Sequence, residues 1–237
     1  MPYTTLIDIA ALKSHLHDPH WVIVDCRFNL MEPEAGRRAY RENHLPDARY
    51  AHLNDDLSGP ITPETGRHPL PDPTRLAQRL GDWGISHHTQ VIAYDDLGGM
   101  LAAARLWWLL RWLGHETVAV LDGGLPAWLK AGLPLTAELP VVSSTRFDAR
   151  PDDRLWLTTA QVQAFPPDHV VLDARGAARY RGEMEPIDPV AGHIPGAVNL
   201  PTDGHLTPEG GFLPMVALRA RFDAALSGKP PAAIVHS

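Results

Sequence analysis

The sequence contains one cysteine, Cys26, and a cysteine thiolate is a strong nucleophile. Cys26 stands between Asp25 and Arg27, directly after the apolar residues 21–24, so we expect it at the end of a buried strand. One interpretation is that it performs nucleophilic catalysis. The alternative, which we favour, is a small residue buried in the core, where a thiol is unreactive. A single cysteine also excludes a disulfide framework within this sequence.

Two arginines, Arg175 and Arg179, have the residue type that binds small anions. A guanidinium is planar and permanently charged, and its N–H groups form paired hydrogen bonds with a carboxylate or a similar anion. Arg175 follows Asp173 by two positions, so it is equally well placed to form an ion pair that holds the end of a strand. An ion pair with an acidic neighbour is the alternative to anion binding for Arg179 as well.

The charge and composition of the chain exclude several classes of partner. The formal net charge is −7 and the pI is about 6.0, without a basic stripe, so we expect neither nucleic acid nor a membrane as a partner. The most apolar stretch, residues 100–113, contains Arg105 and Arg111 and is shorter than the roughly 20 residues that span a bilayer. No secretory signal is visible, so the expected location is the cytoplasm. Because the sequence has no zinc-ligand spacing and no phosphate-binding loop, we expect no metal and no cofactor.

One pattern of residues occurs twice. An apolar run ends in Asp-x-Arg at Asp25 and again at Asp173, and a His-x-Pro-x-Ala segment follows at His44 and at His193. The aspartate and the histidine are 19 positions apart in the first copy and 20 in the second. Such a repeat indicates two homologous domains. Because the two histidines recur, we expect them to bond backbone groups at turns and to have no catalytic role.

Short apolar runs alternate with helical patterns, which predicts an α/β fold with a mostly parallel sheet in each copy. The expected buried strands are residues 21–24, 91–94, 118–121, 170–173 and 233–236. The expected helices of the first copy are residues 74–83, 99–113 and 126–131.

The repeat also divides the chain. Residues 1–138 form the first domain and residues 154–237 the second, and residues 139–153, with the run Val-Val-Ser-Ser-Thr, form a linker. Compared with the first copy, the second lacks the loop, helix and strand that follow residue 94. We therefore expect the second domain to be incomplete in these 237 residues and the natural chain to continue.

These motifs resemble those of the tandem-domain rhodaneses, the thiosulfate and 3-mercaptopyruvate sulfurtransferases. The resemblance rests on the repeated segments and on the run Leu-Asp-Gly-Gly-Leu-Pro-Ala-Trp-Leu-Lys-Ala-Gly at residues 121–132, and it covers nearly the whole chain. It implies two rhodanese-like domains, each a mostly parallel sheet flanked by helices. It also implies that a sulfane sulfur moves from an anionic donor, thiosulfate or 3-mercaptopyruvate, to cyanide or a thiol through a cysteine persulfide.

The resemblance further implies which copy reacts. In this family the second domain carries the nucleophilic cysteine at the start of a loop after its central strand, and that position falls immediately after Ser237. Asp95 takes the matching place in the first copy, which implies a non-catalytic first domain in which Arg27 has a structural role. No catalytic residue is therefore expected within residues 1–237, and this polypeptide alone should be inactive. In that loop, successive backbone N–H groups and a helix N-terminus would stabilise the thiolate and the persulfide.

For substrate binding the resemblance implies Arg179 as the main contact of the donor, with Arg175 beside it. It also implies a role for Arg67 and His68, because in 3-mercaptopyruvate members a histidine of this loop assists the reaction. We find no counterpart of their loop at the same place in the second copy, and extra loops often carry function. An ordinary surface loop is the alternative.

The family segment upstream of that loop has an aspartate where this chain has His52. An acidic partner for His68 would then have to come from Asp55 or Asp56. Two other functions stay open: a catalytically silent binding module, if the residue after Ser237 is not cysteine, and a phosphatase of related fold with a longer loop. The tandem arrangement disfavours the phosphatase.

Overall fold

The computed structural model describes residues 1–166 and 168–236. These residues form two compact units, of which the first is Met1–Leu155 and the second begins at Trp156. Each unit is built on a parallel sheet. In the described parts of the chain, no helix is both long and apolar enough to cross a membrane.

The first unit has a sheet whose neighbouring strands are all parallel. The strands are β1 (Leu6–Ile7), β2 (Trp21–Asp25), β3 (Arg49–Tyr50), β4 (Gln90–Tyr94) and β5 (Val118–Leu121), and they lie in the order β1-β5-β4-β2-β3. The helices are α1 (Ile9–Ser14), α2 (Ala35–Glu42), α3 (Pro73–Asp82), α4 (Ala102–Trp112) and α5 (Gly124–Lys130). This alternation of strand and helix confirms the predicted α/β class.

Helices cover both faces of this sheet, which explains why its strands are apolar on both sides. Val24 of β2 belongs to the core cluster that includes Leu106 of α4. Ile23, which points the opposite way, belongs to the cluster that includes Leu12 of α1 and Trp128 of α5. Each of these side chains is at most 3% exposed, so the sheet is the middle layer of three.

The second unit repeats the centre of the first. Its strands are β6 (Val170–Asp173), β7 (Val198–Asn199) and β8 (Ile234–His236), parallel and in the order β7-β6-β8. Its helices are α6 (Thr159–Gln163), α7 (Ala177–Tyr180) and α8 (Met215–Leu226). The register agrees as well, since Leu172 pairs with His236 as Val24 pairs with Ala93. The order β7-β6-β8 therefore corresponds to β3-β2-β4, and the predicted fold class is confirmed.

Helix α4 begins later than its apolar pattern predicts. The pattern extends from residue 99, but Gly98 and Gly99 have φ angles of +75° and +91° and belong to the loop after β4. A Cβ atom on Gly99 would lie 2.3 Å from Cγ1 of Val120, so the position also needs a residue without a side chain. The helix starts at Ala102.

Residues 139–153, which we predicted to be a linker, pack against the first unit. Phe147 is 5% exposed and belongs to a core cluster of that unit. The Thr145 amide donates to the carbonyl oxygen of Gly81, a residue of α3, at 2.9 Å. Because these contacts fasten the segment, the first compact unit extends through it to Leu155.

The loop that carries Arg67 and His68 has a counterpart in the second unit, which corrects our comparison of the two copies. Each loop contains a Thr-Pro-Glu turn, beginning at Thr62 and at Thr207. The amide three positions further on donates to the carbonyl oxygen of that threonine, at 3.1 Å and 2.9 Å respectively. From the threonine to the Leu-Pro that ends each loop, the first is two residues longer, and Arg67 and His68 lie in the longer part.

Substitution Phe147→Ala should lower the free energy of unfolding of the first unit by about 3 kcal/mol, because it removes a buried aromatic side chain. Urea unfolding followed by tryptophan fluorescence measures this change. Val141→Ala on the same segment is the matched control: Val141 is 98% exposed, and its loss should cost less than about 0.5 kcal/mol. Equal effects of the two substitutions would show that residues 139–153 do not pack as described.

Candidate active site

A buried ion pair closes the carboxyl end of β2. Arg27 donates to Asp25 from Nε, at 3.1 and 2.9 Å, and from Nη2 at 2.7 Å. The hydroxyl of Tyr94, at the end of β4, donates to the same carboxylate at 2.6 Å. Arg27 also donates to the carbonyl oxygen of Asn43 at 2.6 Å. Asp25 is 0% exposed and Arg27 5%, so the pair is structural, as expected for Arg27.

The second unit contains the same arrangement at the end of β6. Arg175 donates to Asp173 from Nε at 3.0 Å and from Nη2 at 2.5 Å, and to the carbonyl oxygen of Gly192 at 2.7 Å. Burial raises the pKa of the Asp173 carboxyl, but the hydrogen bonds from Arg175 outweigh this effect and hold the pKa below its usual value. Arg175 thus repeats the contacts of Arg27 and ties the strand end, which was the alternative to its predicted role in donor binding.

The repeated histidines are bonded to the backbone. Nδ1 of His44 lies 2.6 Å from the carbonyl oxygen of Tyr40, and Nδ1 of His193 lies 2.7 Å from that of Tyr180. Each imidazole also stacks on the same tyrosine, with ring centroids 4.1 and 3.7 Å apart. The expectation that these histidines bond backbone groups is confirmed.

Cys26 is fully buried beneath the end of the sheet. Its sulfur lies 3.8 Å from the carbonyl oxygen of Val24. Burial raises the pKa of the thiol well above its usual value, and the negative charges of Asp25 and Asp95 raise it further. A thiol in these surroundings stays protonated at neutral pH, which favours the buried-core interpretation over the nucleophile.

The loop after β4 wraps around the carboxylate of Asp95, which is 1% exposed. One oxygen accepts from the amides of Leu97 and Gly99 at 2.9 and 2.7 Å, and the other from those of Leu101 and Ala103 at 3.2 and 3.3 Å. The last two amides stand at the N-terminus of α4, where the helix dipole favours negative charge. The first copy thus forms the kind of anion-binding loop that we expect in the reacting copy. The anion that this loop binds is the carboxylate of its own residue Asp95.

Arg179, in α7, is bound by two acidic side chains. Its Nη2 donates to both oxygens of Glu185, at 2.8 and 2.9 Å, and its Nε donates at 3.1 Å. Nη2 also donates to Asp188 at 2.8 Å. The Asp188 amide, Arg179 and the Ile187 amide together lower the pKa of Glu185 to about 2. Nη1 of Arg175 lies 3.9 Å from Glu185, so the two predicted arginines meet around one carboxylate.

Arg67 and His68 belong to the first unit, in a loop that Arg105 fastens. Nη2 of Arg105 donates to the carbonyl oxygens of His68 and Pro69, both at 3.0 Å. The imidazole of His68 meets Phe28 edge-on, with ring centroids 6.1 Å apart. Burial, together with the charges of Arg105 and Arg67, lowers the pKa of His68. The imidazole is therefore neutral at pH 7, a state in which it can accept a proton.

Asp55 and Asp56 have other partners than His68. Asp55 lies 2.5 Å from Nη2 of Arg37, and Asp56 lies 2.6 Å from Arg79. Among the described hydrogen bonds and ion pairs, neither carboxylate is joined to the His68 imidazole. The relay that these aspartates were considered for is not assembled in the described residues.

Glu34, His52 and Asp55 bring their potential ligand atoms within 4.8 Å of one another, close enough to surround a cation. Arg37 already neutralises both carboxylates, at 3.1 Å from Glu34 and 2.5 Å from Asp55. Both nitrogens of His52 also have partners, since Nε2 lies 3.2 Å from the carbonyl oxygen of Pro33 and Nδ1 accepts from the Asp55 amide at 3.2 Å. We interpret the group as an ion-pair network that holds the loop after β3.

Our sequence analysis did not identify four of the contributing residues: Tyr94, Arg105, Glu185 and Asp188. Arg105 carried a signal, because an arginine in an apolar helix must find polar partners. Glu185 and Asp188 follow Arg179 by six and nine positions, a spacing that suggests no contact until the loop is folded.

Substitution Asp95→Ala should destabilise the first unit by about 3 kcal/mol, because it leaves the converging amides without an acceptor. Asp96→Ala is the matched control: it removes the same charge from the neighbouring, exposed position and should change stability by less than about 0.5 kcal/mol. Chemical unfolding of both variants gives the comparison. An Asp95→Ala variant as stable as the parent would mean that the loop does not depend on the carboxylate.

In the polypeptide of residues 1–237, Cys26 should resist iodoacetamide at about pH 8 and react only as the protein unfolds, because burial keeps its thiol protonated. Mass spectrometry of native and urea-unfolded samples measures the labelling. Val141→Cys supplies an exposed thiol on the same protein as a positive control. Labelling of native Cys26 at the rate of that exposed thiol would contradict its assignment to the core.

Comparison with known proteins identifies the family to which this architecture belongs. The family described as "Rhodanese-like domain" matches residues 8–131. A probable 3-mercaptopyruvate sulfurtransferase of Pseudomonas aeruginosa is 47% identical over 234 residues, which cover 97% of this chain and 82% of that protein. A putative thiosulfate sulfurtransferase, SseB of Mycobacterium tuberculosis, is 41% identical over 203 residues, which cover 84% of this chain and 70% of that protein.

Solved structures agree with these relatives. SseA from Escherichia coli, a 3-mercaptopyruvate sulfotransferase, superposes with a TM-score of 0.84 at 29% identity, over 99% of this chain and 88% of that one. The 3-mercaptopyruvate sulfurtransferase from Leishmania major gives a TM-score of 0.82, also at 29% identity, over 99% of this chain and 65% of that one. With its paired Asp-x-Arg strand ends and its anion-binding loop, the chain belongs to the rhodanese family of sulfurtransferases.

Proposed function

We propose that the protein moves a sulfane sulfur from a small anionic donor to a thiol or cyanide acceptor. The loop after β4 carries this proposal, because four backbone N–H groups there converge on one negative charge at the carboxyl end of the central strand. A cysteine persulfide is likewise a small anion at the end of a short side chain, so the same loop geometry suits it. The names of the relatives support the same activity.

We propose that the reacting cysteine stands two positions after His236. In the first unit, Asp95 stands two positions after Ala93. The strand registers support the match, because His236 pairs with β6 where Ala93 pairs with β2. The nucleophile then takes the place in the second copy that Asp95 takes in the first.

The proposed reaction has two steps. The thiolate first attacks the outer sulfur of thiosulfate or the thiol sulfur of 3-mercaptopyruvate. With thiosulfate, the donor S–S bond breaks and sulfite leaves with the electron pair; with 3-mercaptopyruvate, the C–S bond breaks, and the thiol proton ends on the methyl carbon of pyruvate. In the second step the acceptor attacks the outer sulfur of the persulfide. Cyanide becomes thiocyanate, and the thiolate is restored.

We propose 3-mercaptopyruvate as the preferred donor. The longer loop with Arg67 and His68 supports this choice, as does the name of the relative at 47% identity. Arg179 is the proposed contact of the donor carboxylate in the second unit. In the first unit, Arg67 and His68 stay predicted substrate-binding residues. Arg175 is left out of the proposed donor site because Asp173 and Gly192 already engage it.

A cytoplasmic location belongs to the same proposal. The acceptor thiols and the persulfide need a compartment in which thiols stay reduced. Cys26, the single cysteine of this sequence, is unpaired and buried, in keeping with such a compartment.

Release of thiocyanate in the presence of cyanide tests the activity in the natural gene product, with each donor in turn. We expect release from both, with the higher kcat/KM for 3-mercaptopyruvate. Arg179→Gln should raise KM for the donor about tenfold, because it removes a charge-assisted hydrogen bond to the anion. Arg181→Gln is the matched control, since Arg181 is exposed and paired with Glu183, and its KM should stay within about twofold.

Each part of the proposal has its own contrary result. If neither donor gives thiocyanate, the catalytically silent binding module becomes the better interpretation. Turnover by the polypeptide of residues 1–237 would refute the position given to the nucleophile. An unchanged KM in Arg179→Gln would remove Arg179 from the donor site.

A further inference from the structure

Two histidines and an aromatic side chain join residues 139–153 to the rest of the first unit. His87, in the turn before β4, stacks on Phe147 with ring centroids 5.4 Å apart. His115, in the turn before β5, lies 5.7 Å from the same ring, and the two imidazoles are 6.4 Å apart. Nε2 of His87 also lies 2.7 Å from the carbonyl oxygen of Asp148. Three rings therefore form one contact between two turns and this segment.

His115 is the buried member of this group. It is 1% exposed, whereas His87 is half-buried. The backbone amide of His115 donates to the carbonyl oxygen of Leu110 at 2.9 Å, and its Nε2 lies 3.1 Å from the hydroxyl oxygen of Thr117. Phe147 contacts the ring from the side of residues 139–153. Because burial disfavours the charged form of an imidazole, His115 holds a proton poorly while Phe147 stays in place.

The charged groups around His115 come from three elements. His87 faces the ring from the turn before β4, and a positive charge on His87 opposes one on His115. The other charged side chains nearby lie towards the surface. They are Glu116, Arg111 and Arg150, which line one cavity, and Arg146 and Asp148, which form an ion pair at 2.6 Å.

The protonation of His115 is linked to the attachment of residues 139–153. Burial and the charge of His87 lower the pKa of His115, and they outweigh the backbone of Thr117 and Thr89, which raises it. If the segment detaches, water reaches the ring and its pKa returns towards the ordinary value of about 6.5. The detached state then binds a proton that the attached state does not. Attachment is therefore favoured above the ordinary pKa and becomes weaker as the pH falls below it.

We propose that residues 139–153 are attached to the first unit by an acid-sensitive contact, which opens when His115 takes up a proton. At neutral pH the three rings pack together and the segment stays in place. Below about pH 6 a proton on His115 separates its ring from Phe147, and the segment detaches locally while the sheet stays folded. The contact acts on the segment that precedes the second unit, and it works independently of sulfur transfer.

Hydrogen exchange of backbone amides in the chain of residues 1–237 tests this contact. The amides of Thr145, Arg150 and Asp152 donate to carbonyl oxygens outside the segment, at 2.8 or 2.9 Å, so their exchange reports its detachment. NMR gives each exchange rate, and division by the intrinsic rate at the same pH gives a protection factor. We expect the three protection factors to fall about fivefold from pH 6.5 to pH 5.5, because detachment is coupled to the uptake of one proton.

Two substitutions of His115 remove the group that titrates. His115→Gln keeps a side chain that can bond to Thr117, and His115→Phe keeps a ring against Phe147. In each variant the protection factors should change by less than about twofold over the same pH range. His88→Gln is the matched control: His88 is an exposed histidine beside His87, and its loss should leave the fivefold fall intact.

Three results would overturn the proposal. Protection factors that do not fall in the parent chain would show that no proton is coupled to detachment. A fivefold fall that persists in either His115 variant would mean that another group binds the proton. Protection factors as high as those of amides in β2 and β4 would show that residues 139–153 detach only when the whole unit unfolds.

Discussion

A carboxylate buried at the end of a central strand must be paired, and this requirement organises the functional edge of each sheet. Asp25 takes its countercharge from Arg27, two positions along the same chain, and a further hydrogen bond from Tyr94 on the adjacent strand. Arg27 then reaches the carbonyl oxygen of Asn43 and so fixes the segment that returns to the sheet. Asp173 anchors the same arrangement in the second unit. Removing one partner of such a pair leaves an uncompensated charge, at a cost of about 3–5 kcal/mol.

The same edge carries the chemistry because the carboxyl ends of parallel strands are where the loops of an α/β sheet converge. In the first unit, the loop after β4 is completed by the permanent charge of Asp95. That charge is part of the chain and cannot leave, so the loop has no vacancy for a substrate. A cysteine in this place would gain and lose its anionic sulfur in each cycle. In the function that we propose, this one side chain separates a structural copy from a reacting one.

In the second unit, both arginines that we predicted to bind an anion already have partners within the chain. Arg175 is committed to the strand end, and Arg179 is held between Glu185 and Asp188. A bound carboxylate keeps a guanidinium oriented, which reduces the conformational entropy that a substrate must remove on binding. Glu185 therefore orients the arginine that we propose as the contact of the donor.

Several features follow from the sequence alone because they depend on local order. The two copies, the α/β class and most buried strands are visible as apolar runs that end in Asp-x-Arg, since a strand buried on both faces needs continuous apolar residues. The core position of Cys26 and the backbone bonds of His44 and His193 follow from the comparison of the copies. The later start of α4 was not visible, because the need for glycine at residue 99 arises only where the folded backbone meets Val120.

Other features were decided by the tertiary structure, because they depend on groups far apart in the chain. Phe147 places residues 139–153 on the first unit, although their composition is that of a linker. Arg105 fastens the His68 loop from 37 positions away. The partners of Arg179 come from a loop whose path no periodic pattern predicts. Local pattern therefore determined which strand residues are buried and where the strands end. Only the folded chain decided which loop segments pack on the core and which charges are paired, since both depend on distance in space.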